Sequence, residues 1–220
     1  MVIAIDGPAG TGKTTIAKRL ASEFNILYLN TGNMYRAVAL YFSRKYGEFT
    51  EEIVNLEIDK ISIDVKYHNG SQLTLLNGEV VDEYLRTENI SMLASKVSAF
   101  KKVRDKLVHE QRLVAKKQSL VMDGRDIASV VLPDADVKIF LTASCEVRAK
   151  RRALELESKG LKVDYNKLVK DIKERDYNDS HRKNSPLVKV EDAVEIDTSN
   201  LTIDEVVEKC LNLVKCKAHH

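Results

Sequence analysis

The segment from Gly7 to Thr14 constrains the fold of this 220-residue chain more than any other feature. It fits the pattern G-x-x-x-x-G-K-[ST], in which glycines let the backbone wrap around phosphate groups and turn its N–H groups inward. A short apolar strand ending at Asp6 precedes it, and apolar residues recur every four positions after it, beginning with Ile16. This order of strand, loop and helix suits phosphate binding, because the helix N-terminus adds a partial positive charge.

The motif predicts a site for a nucleoside triphosphate. Lys13 is expected to reach the β- and γ-phosphates, and the Thr14 hydroxyl is expected to contact a Mg²⁺ ion carried by the nucleotide. The residues expected to bind ATP are Gly7, Pro8, Ala9, Gly10, Thr11, Gly12, Lys13, Thr14 and Thr15. The structural alternative is a glycine-rich turn with an incidental lysine. A phosphate loop alone does not separate kinases from GTPases and motor ATPases, but the sequence has no guanine-reading Asn-Lys-x-Asp segment and is short for a motor.

Short apolar strands alternate with helical patterns along the chain, which is typical of an α/β fold with a largely parallel sheet. The predicted strands are Val2–Asp6, Ile26–Leu29, Ser119–Asp123, Val137–Leu141 and Ala193–Ile196. Most are continuous apolar runs, as expected for strands covered by helices on both faces. Thr202 and Glu205 have the spacing of a capping box and predict the start of the last helix. The sequence therefore predicts a three-layer α/β fold around a central parallel sheet.

The segment Ile61–Val81 departs from this alternation. The dipeptides Asn69-Gly70 and Asn77-Gly78 separate short runs of alternating apolar and polar residues. Asn-Gly in such a setting is a strong hairpin signal. We therefore expect a small antiparallel insertion that stands apart from the main sheet.

Composition and charge exclude several classes of function. The formal net charge is +2, so we expect neither bulk nucleic-acid binding nor charge-driven binding to membrane surfaces. The apolar runs are too short for a membrane span, and the N-terminus lacks the basic leader of a signal peptide. Three cysteines without metal-binding spacing fit a reducing compartment. We expect a cytoplasmic monomer, and we interpret residues 218–220 as the remnant of a purification tag.

Polar clusters follow two predicted strands at the sheet edge where α/β proteins bind ligands. Thr31–Arg36 offers a hydroxyl, backbone N–H groups and a guanidinium, and Asp123–Asp126 begins with a strand-terminal carboxylate. Two further charged groups lie on predicted helices: Arg148, Arg151 and Arg152, and then Arg175, Asp179 and Arg182. Each cluster has a structural alternative, namely a solvated helix face, surface ion pairs or a strand-end turn.

Five segments, taken in order, resemble the signatures of bacterial cytidylate kinases. They are Gly7–Thr15, Asn30–Arg36, Asp123–Ile127, Ile172–Asp176 and Asp192–Asp197. The resemblance runs from about Val2 to Val214, and the hairpin insertion also fits. It implies transfer of the γ-phosphoryl group of ATP, with Mg²⁺, to CMP or dCMP. It also implies one kinase domain over 1–217, with a core at about 1–30, 101–147 and 165–217, a monophosphate-binding region at about 31–100 and a lid at about 148–164.

The resemblance also assigns roles to individual positions. The catalytic residues it implies are Lys13, Arg125, Arg148 and Arg152. The acceptor-binding residues it implies are Thr31, Gly32, Tyr35, Arg36, Ser95, Arg104, Asp123, Gly124, Arg125, Asp126, Arg175, Asp179 and Arg182. The exocyclic amine of cytosine needs a hydrogen-bond acceptor, which Asp126, Asp179, or a backbone or hydroxyl oxygen supplies. The sequence departs from the family at Asn30, where Asp is usual, at Asn33, where Ala is usual, and at Ala128-Ser129, where Gly-Thr is more usual.

Three alternatives to this function stay open on sequence alone. The first is another small-molecule kinase, acting on UMP, AMP or a metabolite such as shikimate. The second is a nucleotide-binding module without transfer activity. The third is an RNA-binding protein that uses the basic clusters, although an aromatic content of 6% and the lack of tryptophan argue against base-stacking surfaces.

Overall fold

The computed structural model describes residues 1–68 and 70–218. The strands are β1 (Val2–Asp6), β2 (Leu27–Asn30), β3 (Ile63–His68), β4 (Ser71–Leu76), β5 (Glu79–Val80), β6 (Leu120–Gly124), β7 (Val137–Thr142) and β8 (Val194–Asp197). The helices are α1 (Lys13–Glu23), α2 (Thr31–Tyr46), α3 (Glu51–Glu57), α4 (Glu88–Val97), α5 (Lys101–Lys117), α6 (Cys145–Ser158), α7 (Tyr165–His181) and α8 (Ile203–Ala218). Within the described ranges, no helix combines the length and apolar character that crossing a membrane requires.

The chain divides into two compact units. The first joins Met1–Ile26 to the chain from Val121 onward, and the second is the continuous segment Leu27–Leu120. The first unit is therefore built from both ends of the sequence, whereas the second is a single insertion between them.

The first unit is organised around a sheet in which the strands lie in the order β6, β1, β7, β8. β1 runs parallel to β7 with Ile3 opposite Val137, and β7 runs parallel to β8 with Thr142 opposite Asp197. Because parallel strands end at the same edge, Asp6, Thr142 and Asp197 mark one carboxyl edge of the sheet. The segments that leave this edge, including the glycine-rich loop after β1, are the places where an α/β protein binds ligands.

The helices of the first unit follow the apolar pattern of the sequence. Helix α1 buries Ile16 and Leu20, packs against β1 and contacts α8, which also packs against β7. Helix α8 begins at a complete capping box. The Thr202 N–H donates to the Glu205 carboxylate (2.7 Å), and the Glu205 N–H donates to the Thr202 hydroxyl (3.3 Å). This confirms the start of the last helix that the Thr202 and Glu205 spacing predicts.

The second unit combines helices with a small antiparallel sheet. Helix α2 packs against α4 and against β3 and β4, and the sheet has the order β3, β4, β5. β4 and β5 are joined by Asn77 (φ 50°) and Gly78 (φ 87°), both in the left-handed region that a tight hairpin turn with the favoured twist requires. The predicted antiparallel insertion is therefore confirmed. Asn69, in the other predicted turn, lies outside the described residues.

The predicted central strands are also confirmed, each within one residue of its expected bounds, and so is a central parallel sheet. The π-helical turn after β6 was not predicted. A single π-helical turn, Ile127–Val131, follows β6 directly. The two terminal histidines, interpreted as a tag remnant, lie outside the described residues.

Candidate active site

The glycine-rich loop leaves the carboxyl end of β1 in a conformation that depends on its glycines. Gly7 has φ 145°, and a Cβ atom there would lie 2.0 Å from the carbonyl oxygen of Leu141. Gly10 has φ 82°, and a Cβ atom there would meet the Arg148 side chain at 3.1 Å. The loop is therefore packed between the end of β7 and the start of α6, with no room for a side chain at Gly7.

Lys13 lies inside this loop at the N-terminus of α1. Its side chain is buried, and Nζ donates to the carbonyl oxygen of Pro8 at 2.6 Å. Burial and the neighbouring Arg125 guanidinium hold the pKa of Lys13 well below its ordinary value, while Asp123 and Asp6 act in the opposite direction. The ammonium group thus belongs to a dense cluster of both charges at the carboxyl edge of the sheet.

Thr14 and Asp123 bring two oxygen groups together beside Lys13. The Thr14 hydroxyl donates to Asp123 Oδ2 at 3.3 Å, and Asp123 is buried at the end of β6. A hydroxyl and a carboxylate at this spacing are the hard oxygen donors that Mg²⁺ accepts, since this ion is usually held by one or two protein groups, substrate phosphates and water. The donor set therefore fits a nucleotide-bound Mg²⁺.

Arg125 is fixed by a carboxylate on α7. Its Nε donates to Asp179 Oδ2 at 2.9 Å, and its Nη1 donates to the carbonyl oxygen of Gly124 at 3.2 Å. Burial alone would raise the pKa of Asp179, but the guanidinium groups of Arg125, Arg175 and Arg182 hold it below its ordinary value. Three sequence-predicted arginines thus surround one ionised carboxylate.

Asp126 lies next to this group. Its Oδ1 is 3.9 Å from Nη2 of Arg182, whose Nε donates to the carbonyl oxygen of Ser185 at 2.7 Å. Asp126 is almost fully buried, and its backbone carbonyl accepts the N–H groups of Val130 and Val131 at 2.9 and 3.1 Å. The turn that these bonds close fixes the backbone of Asp126.

The predicted lid arginines differ in their surroundings. Arg148 is buried, with Nη1 donating to the Ala9 carbonyl oxygen at 3.0 Å and Nε to the Ala143 carbonyl oxygen at 3.0 Å. Its guanidinium also pairs with the Asp176 carboxylate on α7. Arg152 lies nearer the surface and pairs with Glu155 at 2.7 Å. Arg148 therefore braces the phosphate-binding loop, whereas Arg152 belongs to the outer face of α6.

The second unit gathers another set of predicted site residues at the start of α2. Asn30 caps this helix, because its Oδ1 accepts the Asn33 N–H at 2.9 Å. Arg36 Nη1 lies 3.4 Å from Asn33 Oδ1, and a Cβ atom added at Gly32 would stand 3.0 Å from the same guanidinium nitrogen. Thr31 is buried beside them. The helix N-terminus and one guanidinium thus form a local anion-binding arrangement.

Tyr35 links this group to α5. The Arg104 guanidinium lies over the Tyr35 ring, 5.5 Å from its centroid, and Arg104 Nη1 donates to the Ser98 carbonyl oxygen at 3.2 Å. Ser95 is half-buried on α4, and its carbonyl oxygen accepts the Ser98 hydroxyl at 2.8 Å. The second unit therefore brings Tyr35, Arg104 and the Ser95–Ser98 turn together.

A sequence profile of the cytidylate kinase family matches residues 3–216 of the chain. The chain belongs to the cytidylate kinase family. A cytidylate kinase from Caldicellulosiruptor saccharolyticus is 51% identical over 212 residues, which are 96% of this chain and 94% of that protein. A cytidylate kinase from Lactobacillus gasseri is 47% identical over 99% of this chain and 95% of its own length. An uncharacterized protein from Eubacterium ventriosum has a solved structure that matches with a TM-score of 0.52 over 98% of each chain, and its 17% identity shows a shared fold alone.

Two of the departures from the usual sequence of the cytidylate kinase family, Asn30 and Asn33, make local hydrogen bonds in the structure. Asn30 keeps the helix-capping function of an aspartate, because its amide oxygen accepts the same backbone N–H. Its Nδ2 additionally donates to the Tyr28 hydroxyl at 2.7 Å, which a carboxylate oxygen cannot do. Asn33 lies between Arg36 and Asp82, at 3.4 Å from each. Both changes therefore replace charge or apolar surface with local hydrogen bonds.

The sequence did not single out two acidic residues of the first unit as parts of the candidate site. Asp6 is buried at the end of β1, and Asp176 pairs with Arg148. Asp6 carried a signal, because it is a carboxylate at the end of an otherwise apolar strand. Asp176 ends the Ile172–Asp176 segment that resembles the family, but nothing in the sequence linked it to Arg148, which lies 28 residues earlier in the chain.

Proposed function

We propose that this member of the cytidylate kinase family transfers the γ-phosphoryl group of ATP to CMP or dCMP, producing ADP and CDP or dCDP. The observation that carries the proposal is the charged cluster in which buried Lys13 of the phosphate-binding loop lies within electrostatic reach of the partly exposed Arg125 and Arg175. Such a cluster suits a reaction in which phosphate groups of two nucleotides come together. Full-length similarity to relatives named cytidylate kinase supports the choice of acceptor.

The reaction needs positioning and charge neutralisation rather than a general base. The acceptor is a phosphate, whose oxygen is already a competent nucleophile near neutral pH. Lys13 would neutralise charge on the β- and γ-phosphates, and Arg125 would hold the phosphates in line while Asp179 fixes its guanidinium. Mg²⁺ bound with ATP would add further charge neutralisation, held by Thr14 and Asp123.

Acceptor recognition is proposed for residues of both units, each acting from its own cluster. In the second unit, Thr31, Gly32, Tyr35 and Arg36 would contact the acceptor from the N-terminal turns of α2, and Ser95 and Arg104 would contribute from α4 and α5. In the first unit, the residues proposed to contact the acceptor are Gly124, Arg125, Asp126, Arg175, Asp179 and Arg182. Asp179 is engaged by Arg125 at 2.9 Å, whereas Asp126 lies 3.9 Å from its arginine partner. The contact with Arg125 favours Asp179 as the group that positions this arginine, and we assign the acceptor for the cytosine amine to Asp126.

The segment of about 148–164 is proposed to act as a lid over the nucleotide. The proposed core comprises about 1–30, 101–147 and 165–217, and the proposed monophosphate-binding region comprises about 31–100. Arg152, at the outer face of α6, would approach the phosphates when the lid closes and excludes water. Arg148 would act chiefly by holding the phosphate-binding loop through its bond to the Ala9 carbonyl oxygen. Direct contact of Arg148 with phosphate stays a prediction.

The proposal is tested by measuring ADP release from Mg·ATP with CMP, dCMP, UMP, AMP and shikimate offered singly. Strong turnover with CMP and dCMP alone is expected. Turnover with a different acceptor would overturn the assignment of the cytosine-reading residues while keeping the phosphoryl-transfer chemistry. ATP binding without ADP release for any acceptor would replace the kinase by a nucleotide-binding module.

Lys13→Ala is expected to abolish this turnover while leaving the fold intact, because the side chain bonds the loop but fills no apolar core. Loss of a charge-stabilising group of this kind lowers rates by about 10²–10³ or more. Lys18→Ala is the matched control, since Lys18 is an exposed lysine on the same helix. Activity like that of the unaltered protein in Lys13→Ala would show that the loop does not carry the reaction.

A further inference from the structure

Asp6 is a buried carboxylate that the proposed transfer reaction does not use. It is the last residue of β1, directly before Gly7, and only 2% of its surface is exposed. Oδ1 accepts the N–H of Ile127 at 2.8 Å, and Oδ2 accepts the N–H of Ala128 at 2.7 Å. These donors are the first two backbone groups after Asp126. One side chain therefore ties the strand that precedes the phosphate-binding loop to the segment that carries Arg125 and Asp126.

The geometry requires a carboxylate at this position. Two backbone N–H groups point at the side chain, and both need an acceptor because neither has access to water. An asparagine would offer one oxygen and would turn its NH₂ group toward the second donor. Only an ionised aspartate of this size accepts both bonds.

The same carboxylate is costly to bury. Burial and the nearby Asp126 raise the pKa of Asp6 to about 6, against the lowering effects of the two N–H groups and of Lys13. If stability alone determined the residue at this position, a second buried negative charge beside Asp126 would be unfavourable. This energetic cost indicates that Asp6 has a role in the candidate active site rather than in stabilising the core.

The segment that Asp6 holds is unusual in shape. Asp126 has φ −145° and ψ 27°, outside the helical region, and the π-helical turn begins at the next residue. Two sets of bonds thus fix the backbone of Asp126. The N–H groups of Val130 and Val131 donate to its carbonyl oxygen, and Asp6 accepts the N–H of the next residue, Ile127. Arg125, on the other side, is anchored to Asp179. Without the Asp6 bonds, Ile127 and Ala128 would no longer be tied to the strand that precedes the phosphate-binding loop.

We propose that Asp6 is a positioning residue for the acceptor nucleotide: by accepting the Ile127 and Ala128 N–H groups it fixes Asp126, and with it the reading of the base. The proposal rests on the proposed function, since it assigns Asp6 a part in binding the acceptor. Asp6 does not touch either substrate and acts through Asp126.

The first test compares Asp6→Asn with the control Asp136→Asn. Asp136 Oδ2 accepts the N–H of Val2 at 2.7 Å, which is the same kind of bond at the opposite, exposed end of β1. Asp6→Asn is expected to raise the KM for CMP about tenfold or more, with a change of less than about threefold in the KM for ATP. Asp136→Asn should leave both KM values within about twofold. Equal rises in the two KM values, or none, for Asp6→Asn would overturn the proposal.

A second readout separates positioning from a merely structural role. Relaxed positioning of Asp126 should lower the ratio of kcat/KM for CMP to that for UMP about tenfold in Asp6→Asn, and a ratio does not depend on how much of the enzyme is folded. In an Asp126→Asn background, the Asp6 substitution should add less than about twofold, because the group through which it acts is already lost. Full additivity in the double variant would overturn the proposal.

Asp6→Ser is the second variant if Asp6→Asn folds poorly, and the same KM and ratio criteria apply. Failure of the proposed function is recognised separately, because the unaltered protein would then phosphorylate neither CMP nor dCMP. An active unaltered protein whose Asp6 variants match Asp136→Asn in both readouts refutes the positioning role alone.

Discussion

Gly7 and Gly12 both adopt positive φ angles, but their neighbours differ. At Gly7 an added Cβ would lie 2.0 Å from a backbone oxygen, whereas at Gly12 it would meet nothing within 4 Å. Gly12→Ala should therefore cost only the strain of a left-handed backbone, roughly 1–2 kcal/mol. Gly7→Ala adds a clash with rigid backbone, so its loss of unfolding free energy should be larger by roughly 1–3 kcal/mol.

Urea unfolding of the two variants measures this difference directly. The comparison is internally controlled, since both residues lie in the same loop and both substitutions add one methyl group. Equal losses of stability would show that the loop moves away from Leu141 to accommodate the side chain.

At the scale of single residues, the sequence predicted what is local. The loop motif and Lys13 follow from one strand–loop–helix pattern. The pairing of Thr14 with Asp123 was not predicted, because the two residues lie 109 positions apart in the chain. The sequence did not predict Asp6 or Asp176, because their partners are distant in the chain and hydrogen bonds to backbone N–H groups leave no residue pattern. The sequence also did not distinguish Arg148, which braces the loop, from Arg152, which faces outward. The two differ in burial, and the pattern of three neighbouring arginines on one helix does not reveal burial.

Helix α8 is the element whose start the sequence specified best, and its capping box offers a prediction. Thr202→Ala removes the hydroxyl that accepts the Glu205 N–H, and should lower the free energy of unfolding by about 1 kcal/mol. Asn200→Ala, at an exposed position two residues earlier, should change it by less than about 0.5 kcal/mol. Chemical denaturation of both variants checks the difference, and equal effects would mean that the box contributes nothing.

The same helix carries two cysteines that differ in burial. Cys210 is fully buried, and burial raises the pKa of its thiol to about 12, whereas Cys216 is exposed. A thiol with a raised pKa stays protonated at pH 8 and is a poor nucleophile. Iodoacetamide at pH 8 should therefore modify Cys216 and leave Cys210 unmodified until urea unfolds the protein.

Mass spectrometry of peptides from native and unfolded samples distinguishes the two sites. Cys145 is half-buried, and burial also raises the pKa of its thiol, so it should react more slowly than Cys216. Modification of Cys210 in the native protein at the rate of Cys216 would show that α8 detaches readily from the sheet.

At the scale of elements, periodicity placed the five central strands and the antiparallel insertion, because continuous apolar runs and Asn-Gly turns are local signals. It did not place the π-helical turn at Ile127–Val131. That turn is stabilised by backbone bonds to the Asp126 and Ile127 carbonyl oxygens and by the distant Asp6 carboxylate, and none of these contacts leaves a repeat in the sequence.

For the whole molecule, the proposed acceptor site predicts selective stabilisation by ligand. A ligand at one hundred times its Kd stabilises the folded state by about 2.7 kcal/mol. For a chain of this length that corresponds to a rise of roughly 5–10 °C in Tm. CMP and dCMP should produce this shift in a thermal melt without ATP, whereas AMP at the same concentration should shift Tm by less than about 2 °C. Equal shifts with all nucleotides would contradict a base-specific site.

The discontinuity of the first unit has a consequence for how the protein is made. The phosphate-binding loop precedes the insertion in the chain, yet its supports follow the insertion. Arg148 donates to the Ala9 carbonyl oxygen, the Thr198 hydroxyl donates to the Thr11 carbonyl oxygen, and Asp6, directly before the loop, accepts the Ala128 N–H. The second unit, by contrast, is one uninterrupted stretch. A nascent chain can therefore complete the later-encoded insertion while its N-terminal loop is still unsupported. The phosphate-binding loop therefore reaches its final set of contacts only after the segments that follow the insertion, up to Thr198, have been synthesised.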